Sequence, residues 1–291
     1  MRVAFRHKNL VPPHFQHPQW PKREGKKAMT IVTGIICADA IVLAADSQFT
    51  DPSNGVVSFG DKISTVEFKQ GNHVLVAQAG LPAITKHIVE LVSEKSKEVA
   101  ITSALTVTEI VLDSICRLRE RSTQEQWAYG KENGGASLMV AFYANNKPCL
   151  YTVNVYGHGI MSEPENSHFA VAGAGAPLAE YLLSQIAPRG AFHNVALATT
   201  IFVIGKVKDH QKGACGGDTM IQILFPVERP GCENSHIGKS EIINQRTINN
   251  MEKLLIQQDK NENKPRKMLL MLEDYAKKLD KILENKGENK S

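Results

Sequence analysis

The sequence predicts an α+β fold in which strand hairpins alternate with pairs of helices. Two apolar runs rich in β-branched residues, 31–37 and 41–50, are joined by a short link at Asp39, and such runs indicate a buried strand hairpin. Apolar residues then recur at helical spacing over 82–97 and 106–127, and the first of these segments begins with a proline, which suits a helix start. The remaining predicted elements are strands at 63–68, 73–79, 136–143, 149–155, 169–172 and 219–225 and helices at 178–186 and 194–206.

The composition is typical of a soluble globular protein without a membrane span. The 291 residues are 42% hydrophobic and 22% charged, enough for one large domain with appendages. No stretch reaches the ~18 uninterrupted apolar residues that a membrane helix requires. The five cysteines are scattered and lack the paired spacing of a metal site, which predicts no metal and a reduced, cytoplasmic setting. No cofactor is expected either.

Thr30, Asp46 and Lys62 form a candidate set of nucleophile, orienting carboxylate and cation. A threonine hydroxyl is a weak nucleophile until a base takes its proton. A threonine at the N-terminus carries that base itself, because its α-amino group has an ordinary pKa of about 7.7–8.0. Lys62 would favour the neutral amine and ease loss of the hydroxyl proton, and Asp46 would hold Lys62 charged and in place. Taken alone, the three residues favour a simpler interpretation, an ordinary strand threonine and an incidental surface ion pair.

The residues from Thr30 to Lys62 resemble the opening of proteasome β subunits and of the bacterial HslV peptidase, which are N-terminal nucleophile (Ntn) hydrolases. The features that carry the resemblance are the threonine, Gly34 in the first strand, Asp39-Ala40 at the hairpin, Ala44-Ala45-Asp46 with the segment that follows to Thr50, and Lys62-Ile63, all without a gap. A weaker similarity continues to about Phe225. The resemblance implies a four-layer αββα sandwich at 30–226, with a helical C-terminal extension at 227–291.

The resemblance also implies a threonine-type endopeptidase, in which the Thr30 hydroxyl attacks a peptide carbonyl and water hydrolyses the acyl-enzyme. Family members assemble into stacked rings with their sites inside, so the expected partners are further copies of this chain. Unfolded polypeptide or peptide is the expected substrate, and an unfoldase ATPase is an open expectation. Two other interpretations stay open: an Ntn amidase acting on a small molecule, and a catalytically silent structural subunit.

Further site residues follow from the same resemblance. Ala79 and Gly80 are equal candidates for the backbone N–H groups that stabilise the oxyanion, because small residues let the main chain approach a substrate closely. Substrate would add as a strand alongside Thr50 and this segment. In addition, Gly173-Ala174-Gly175 stands where the family has Gly-Ser-Gly. Ala174 is a departure, because the family's serine lies beside the nucleophile and assists proton transfer.

Asp209 and Cys215 resemble the family's aspartate and Ser-Gly-Gly cluster, which supports the N-terminal threonine. Cys215 stands where serine is usual, and two or three extra residues separate it from Asp209. The Asp-His-(x)4-Cys order also suggests a thiol protease or a metal site. A thiol nucleophile needs an orienting frame, and two such ligands make no zinc site, so a supporting loop is the favoured interpretation.

The two ends of the chain differ from the middle. Residues 1–29 hold seven Lys/Arg, one acidic residue and four prolines, lack a secretory signal, and account for the net charge of +4, so no nucleic-acid binding is predicted. We expect either a propeptide cleaved before Thr30 or, preferably, a translation start at Met29, because codons for 23–27 must be purine-rich and resemble a ribosome-binding site. Residues 227–291 carry apolar residues at helical spacing, and their partner, the chain's own core or a neighbouring subunit, is left open.

Overall fold

The computed structural model describes residues 30–50, 56–125, 127, 135–157, 161–162, 168–187, 189–211, 215–226, 240–259, 272 and 274. The predicted extension at 1–29 and most of the tail beyond 259 lie outside these ranges. The strands are β1 (Val32–Ile36), β2 (Ile41–Asp46), β3 (Gln48–Thr50), β4 (Val57–Phe59), β5 (Ile63–Glu67), β6 (His73–Gly80), β7 (Ala136–Ala144), β8 (Lys147–Asn154), β9 (Met161–Ser162), β10 (Phe169–Ala172), β11 (Thr219–Leu224) and β12 (Ser240–Ile242). The helices are α1 (Pro82–Ser96), α2 (Ala104–Arg121), α3 (Ala176–Ile186), α4 (His193–His210) and α5 (Gln245–Asp259). Within the described ranges, no helix combines the length and the apolar character needed to cross a bilayer.

Two five-stranded antiparallel sheets form the centre of the fold. The first has the order β10-β1-β2-β11-β12 and the second has the order β5-β6-β7-β8-β9. The predicted first hairpin lies inside the first sheet, with Val32 paired to Ala45 and Ile36 to Ile41. β3 and β4 form a separate two-stranded ribbon. The start of the chain's first strand is therefore held between β2 and β10.

Buried apolar side chains fall into three layers. The helices α3, α4 and α5 pack on the outer face of the first sheet, and α1 and α2 pack on the outer face of the second sheet. The third layer lies between the sheets. Side chains alternate along β1, so Ile35 faces the helices and Val32 faces the other sheet. The order helix, sheet, sheet, helix confirms the predicted four-layer αββα sandwich.

Two predicted elements have different bounds in the structure. The helix predicted at 106–127 begins at Ala104, because Ser103 accepts a hydrogen bond from the Thr106 backbone N–H at 3.3 Å, and it ends at Arg121. The run predicted at 41–50 divides at Ser47, where the pairing of β2 with β11 ends, because the Asp218 N–H donates to Ser47 Oγ at 2.9 Å and the Ser47 carbonyl accepts from the Gly60 N–H at 3.0 Å. Three strands that sequence patterns did not predict, β4, β9 and β12, have three residues or fewer and carry too little periodicity to be recognised.

The first part of the tail packs on the chain's own core. β12 pairs with β11 at the edge of the first sheet. On α5, Ile248, Met251 and Leu255 are buried in the same apolar cluster as α4, and Leu272 joins that cluster. The sequence left open whether the tail packs on the chain's own core or on a neighbouring subunit. The described part of the tail packs on the chain's own core.

The packing between the sheets gives a test of the layer order. A Cβ atom at Gly34 would lie 2.8 Å from Leu43 Cδ2 and Met139 Sδ and 2.9 Å from Leu150 Cδ1. We expect Gly34→Ala to lower the free energy of unfolding by ~1–3 kcal/mol, because the added methyl overpacks this layer. Gly157→Ala is the control, since a Cβ there meets nothing closer than 3.5 Å. Urea denaturation measures both variants, and equal stabilities would contradict the sheet-on-sheet contact.

Candidate active site

Thr30 lies two residues before the first residue of β1 and is buried, with 2% of its surface exposed. Its carbonyl accepts a hydrogen bond from the N–H of Gly175 at 3.1 Å. Gly173 has a φ of +95°, and a Cβ atom there would lie 2.3 Å from the carbonyl oxygen of Thr30. Only glycine fits a position with this backbone angle and this close an approach. The structure therefore brings the predicted Gly173-Ala174-Gly175 turn against the predicted nucleophile.

Asp46 ends β2 and is fully buried beside Thr30. Its Oδ1 accepts hydrogen bonds from Thr30 Oγ1 at 2.9 Å, from the N–H of Ile31 at 3.0 Å and from Lys62 Nζ at 2.6 Å. Its Oδ2 accepts a hydrogen bond from the N–H of Gly216 at 2.9 Å. A buried carboxylate is tolerated when such donors replace water. Asp46 is thus the group that joins β1, β2 and the loop before β11.

Lys62 is fully buried just before β5, and all three of its N–H donors have acceptors. They go to Thr30 Oγ1, to Asp46 Oδ1 and to the backbone carbonyl of Gln48. The ammonium also lies 4.8 Å from the centre of the Phe49 ring. Burial lowers the pKa of Lys62, and the adjacent Asp46 carboxylate offsets part of that effect. The Thr30 hydroxyl oxygen is therefore in direct contact with a cation that burial makes more acidic.

The predicted oxyanion and substrate residues lie on two strand ends near Lys62. Ala79 and Gly80 end β6, and the N–H of Gln78, just before them, donates to the carbonyl of Lys62 at 2.8 Å. Gly80 has a φ of +97°, a backbone angle that glycine adopts readily. Thr50 ends β3, is 8% exposed, and its hydroxyl accepts a hydrogen bond from the Gln48 side-chain amide at 3.2 Å.

Cys215 lies near Thr30 but is not arranged as a nucleophile. A Cβ atom at Gly175 would lie 3.2 Å from its Sγ, so the thiol packs against the turn that contacts Thr30. Burial raises the pKa of the Cys215 thiol to about 12, and the Asp46 carboxylate adds to the shift. The thiol donates to Gln211 Oε1 at 3.9 Å. A thiol with a raised pKa stays protonated near neutral pH, which disfavours the thiol-protease alternative.

Asp209 occupies a different environment from the other predicted site residues. It is exposed on the last turn of α4, whereas Thr30, Asp46 and Lys62 are buried. The supporting role predicted for Asp209 stays a prediction. No group of three or more His, Cys, Asp or Glu side chains that could hold a metal ion is found within the ranges the structure describes.

Sequence patterns missed several backbone groups that complete the site. They include the carbonyl of Gln48 and the N–H of Gly216. A pair of hydrogen bonds also joins Ser47 to Asp218: the Asp218 N–H donates to Ser47 Oγ at 2.9 Å, and the Ser47 N–H donates to Asp218 O at 2.8 Å. The only signal was the Gly216-Gly217 pair, which indicated a close approach of main chain without indicating its partner.

The αββα sandwich, with a threonine buried just before its first strand, is consistent with the fold class of Ntn hydrolases. The family model described as Proteasome subunit matches residues 26–208. This match covers more than half of the chain, and the chain belongs to the proteasome subunit family. The predicted resemblance to proteasome β subunits is confirmed. No curated protein sequence matches the chain.

Solved structures of Anbu proteins share the fold. The helical assembly of the Anbu complex from Pseudomonas aeruginosa is 15% identical, with a TM-score of 0.63 over 80% of this chain and 95% of that chain. A Gly-1 mutant of Anbu from Hyphomicrobium sp. strain MC1 is 14% identical, with a TM-score of 0.60 over 80% and 96%. Anbu from Yersinia bercovieri, described as an ancestral beta-subunit, is 12% identical, with a TM-score of 0.60 over 77% and 92%. At these identities the likeness shows a common fold.

The buried ion pair predicts a large loss of stability when its cation is removed. We expect Lys62→Met to lower the free energy of unfolding by ~3–5 kcal/mol, because the Asp46 carboxylate is left in the interior without its cation. Lys95→Met is the control, since the Lys95–Asp113 pair is 24% and 48% exposed and such pairs contribute ~0–1 kcal/mol. Urea denaturation of both variants measures the difference. Losses of equal size would contradict the burial of the Lys62–Asp46 pair.

Proposed function

We propose that this protein is a threonine-type endopeptidase in which Thr30, as the first residue of the mature chain, is the nucleophile. The observation that carries the proposal is the contact between the Lys62 ammonium and the Thr30 hydroxyl oxygen, with Asp46 bonded to both. All three residues are at most 2% exposed, so water screens their interactions little. Membership of the proteasome subunit family supports the same reaction class.

In the first step, Thr30 Oγ1 forms a bond to the carbonyl carbon of a peptide. Its hydroxyl proton passes to the α-amino group of the same residue, which acts as general base. The Lys62 ammonium stabilises the negative charge that develops on Oγ1. Asp46 holds this cation and also the N–H of Ile31, at 3.0 Å, so the nucleophile and the cation keep one relative position.

The tetrahedral intermediate places a negative charge on the former carbonyl oxygen. We assign its stabilisation to a backbone N–H at Ala79 or Gly80, because the hydrogen bond from Gln78 N–H to Lys62 O at 2.8 Å holds this segment beside the cation. Collapse of the intermediate breaks the C–N bond. The α-ammonium group gives its proton to the leaving nitrogen, and the acyl group stays on Thr30 as an ester.

Water then completes the cycle. The α-amino group takes a proton from water as the water oxygen attacks the ester carbonyl. The second intermediate expels Thr30 Oγ1, which recovers its proton from the α-ammonium group. The products are the original enzyme and a peptide carboxylic acid, which loses its proton to solvent. This sequence requires a free α-amino group on Thr30, and therefore loss of Met29 and all that precedes it.

A catalytically silent structural subunit is the second candidate. Ala174 carries no hydroxyl, and the Cys215 thiol, with its pKa raised to about 12, is a weaker hydrogen-bonding group than a serine hydroxyl. Both positions therefore offer less help to proton transfer around the α-amino group than the serines of the family pattern. The endopeptidase is favoured because the contacts among Thr30, Asp46 and Lys62 are complete without them.

We also propose that copies of the chain associate into a closed ring in the cytoplasm, with unfolded polypeptide as substrate and an unfoldase ATPase as partner. The family supports association of subunits, and the free thiols of Cys37 and Cys215 suit a reducing compartment. The related Anbu complex from Pseudomonas aeruginosa is described as a helical assembly. Electron microscopy of the purified protein distinguishes a closed ring from a helix and from separate subunits.

Replacing the nucleophile tests the proposed function directly. We expect Thr30→Ala to reduce hydrolysis of a fluorogenic peptide to the background rate and to abolish labelling by a peptide epoxyketone, because the attacking oxygen is gone. Thr33→Val is the control: Thr33 lies on β1, three residues after Thr30, is fully buried, and its hydroxyl has no hydrogen-bond partner among the described residues. Intact mass spectrometry reads the labelling and shows whether Thr30 is the first residue.

Each outcome separates the candidates. Undiminished turnover in Thr30→Ala would overturn the threonine mechanism. Assembly of the unchanged chain without turnover or labelling would favour the silent subunit. Hydrolysis of small amides without hydrolysis of peptides would favour the amidase.

The lowered pKa of Lys62 predicts the alkaline side of the pH profile. Burial lowers this pKa below the ordinary value of 10.5, so the ammonium is charged at lower pH and loses its proton as pH rises through the lowered value. The acidic side is set by the α-amino group, with an ordinary pKa of about 7.7–8.0, because only its neutral form accepts the hydroxyl proton. We expect a bell-shaped profile of kcat/KM whose alkaline limb begins below pH 10.5. A profile that stays flat beyond that pH would contradict a role for charged Lys62.

A further inference from the structure

The tail helix α5 lies beyond the residues that match the family model, which end at 208. Its apolar face is anchored in the core through Ile248, Met251 and Leu255. This anchoring places Glu252, the residue after Met251, against the end of α4 and the start of β11. The tail therefore brings one carboxylate to the side of the molecule that carries the loop at 215–218.

Glu252 forms a largely buried ion pair with Lys208. Lys208 Nζ lies 2.6 Å from Oε1 and 2.9 Å from Oε2, and the two side chains are only 13% and 14% exposed. The hydroxyl of Thr219 also donates to Glu252 Oε2 at 2.8 Å. A pair shielded in this way is stronger than an exposed ion pair, and loss of one partner leaves the other charge poorly solvated.

Lys208 also forms a hydrogen bond with the loop at 215–218. Its Nζ donates to the carbonyl of Gly217 at 3.1 Å and to Thr219 Oγ1 at 2.8 Å. Gly217 has a φ of +72°, and a Cβ atom there would lie 2.3 Å from Ser47 Oγ. Position 217 therefore requires glycine. Because glycine restricts the backbone less than any other residue, the position of the loop depends on contacts from outside it.

The loop in turn holds the carboxylate of the active site. Gly216, next to Gly217, donates its N–H to Asp46 Oδ2 at 2.9 Å. The other oxygen of Asp46 bonds to Thr30 Oγ1 and Lys62 Nζ. A continuous series of hydrogen bonds and one peptide link therefore connects the tail to the nucleophile.

We propose that Glu252 is a positioning residue of the active site, which acts through Lys208 and the 215–218 loop to hold Asp46 in place. This inference rests on the proposed peptidase function. Glu252 forms no hydrogen bond with Thr30 or Lys62. It acts on the position of the Asp46 carboxylate, which orients these two residues.

The test compares variants of the full chain. We expect Glu252→Gln to lower kcat about tenfold or more with KM little changed, because a small displacement of a catalytic group has a large effect on rate. Lys208→Met has a similar effect, and the double variant loses less than the two single losses combined, because both residues act through one contact. Leu255→Ala is the control: it is fully buried on the same helix, so it lowers the unfolding temperature while the folded enzyme keeps its kcat.

A second measurement is independent of turnover. Amide hydrogen exchange, read by mass spectrometry over the peptide that contains Gly216, is expected to be faster in Glu252→Gln than in Leu255→Ala. Unchanged kcat in Glu252→Gln would overturn the inference, as would an equal loss of kcat in folded Leu255→Ala. If the unchanged chain has no Thr30-dependent turnover, the proposed function fails, and exchange at Gly216 alone then decides: faster exchange supports the positioning contact and unaltered exchange overturns it.

Discussion

Lys62 and Asp46 form an ion pair that solvent does not reach, and the rest of the site is arranged around it. Removing two charges from water costs free energy that their mutual attraction repays only when every remaining donor and acceptor is also satisfied. Here the lysine donates to three oxygens and the carboxylate accepts from four donors. The pair and its partners come from the residues before β1, the end of β2, the start of β3, the residue before β5 and the loop before β11, so the pair holds five separate parts of the chain in one geometry. The Thr30 hydroxyl is one of the partners, so the proposed nucleophile is among the groups that satisfy the two charges.

Close approach of the main chain is the second constraint on the site. Gly173 and Gly216 stand where a Cβ atom would lie 2.3 Å from the Thr30 carbonyl oxygen and 2.2 Å from Gln48 Oε1 respectively. Backbone N–H groups reach Thr30 and Asp46 because no side chains intervene. The departures from the family pattern, Ala174 and Cys215, are small residues that carry no hydroxyl group.

The described part of the tail, β12 and α5, belongs to the folded domain. β12 extends the first sheet and α5 covers its outer face next to α4. The same helix supplies Glu252, so the segment that completes the apolar core also holds the loop that supports Asp46. Stability of the outer helical layer and geometry of the candidate site are thereby linked in one part of the molecule.

Local patterns in the sequence determined the parts of this protein that depend on neighbouring residues. The two apolar runs at 31–50 specified the first hairpin and the spacing at 82–97 specified α1, while the order of elements fitted the sandwich that the family resemblance implied. Thr30, Asp46 and Lys62 were identifiable because side-chain chemistry and motif spacing carry their signal. Tertiary structure alone decided the Gly216 donor, the Gln48 acceptor, the exposed position of Asp209 and the pairing of Lys208 with Glu252, 44 residues away. These features depend on where distant segments meet in the folded chain, and every residue except proline has the same backbone donor and acceptor, so no local pattern encodes which of them will meet.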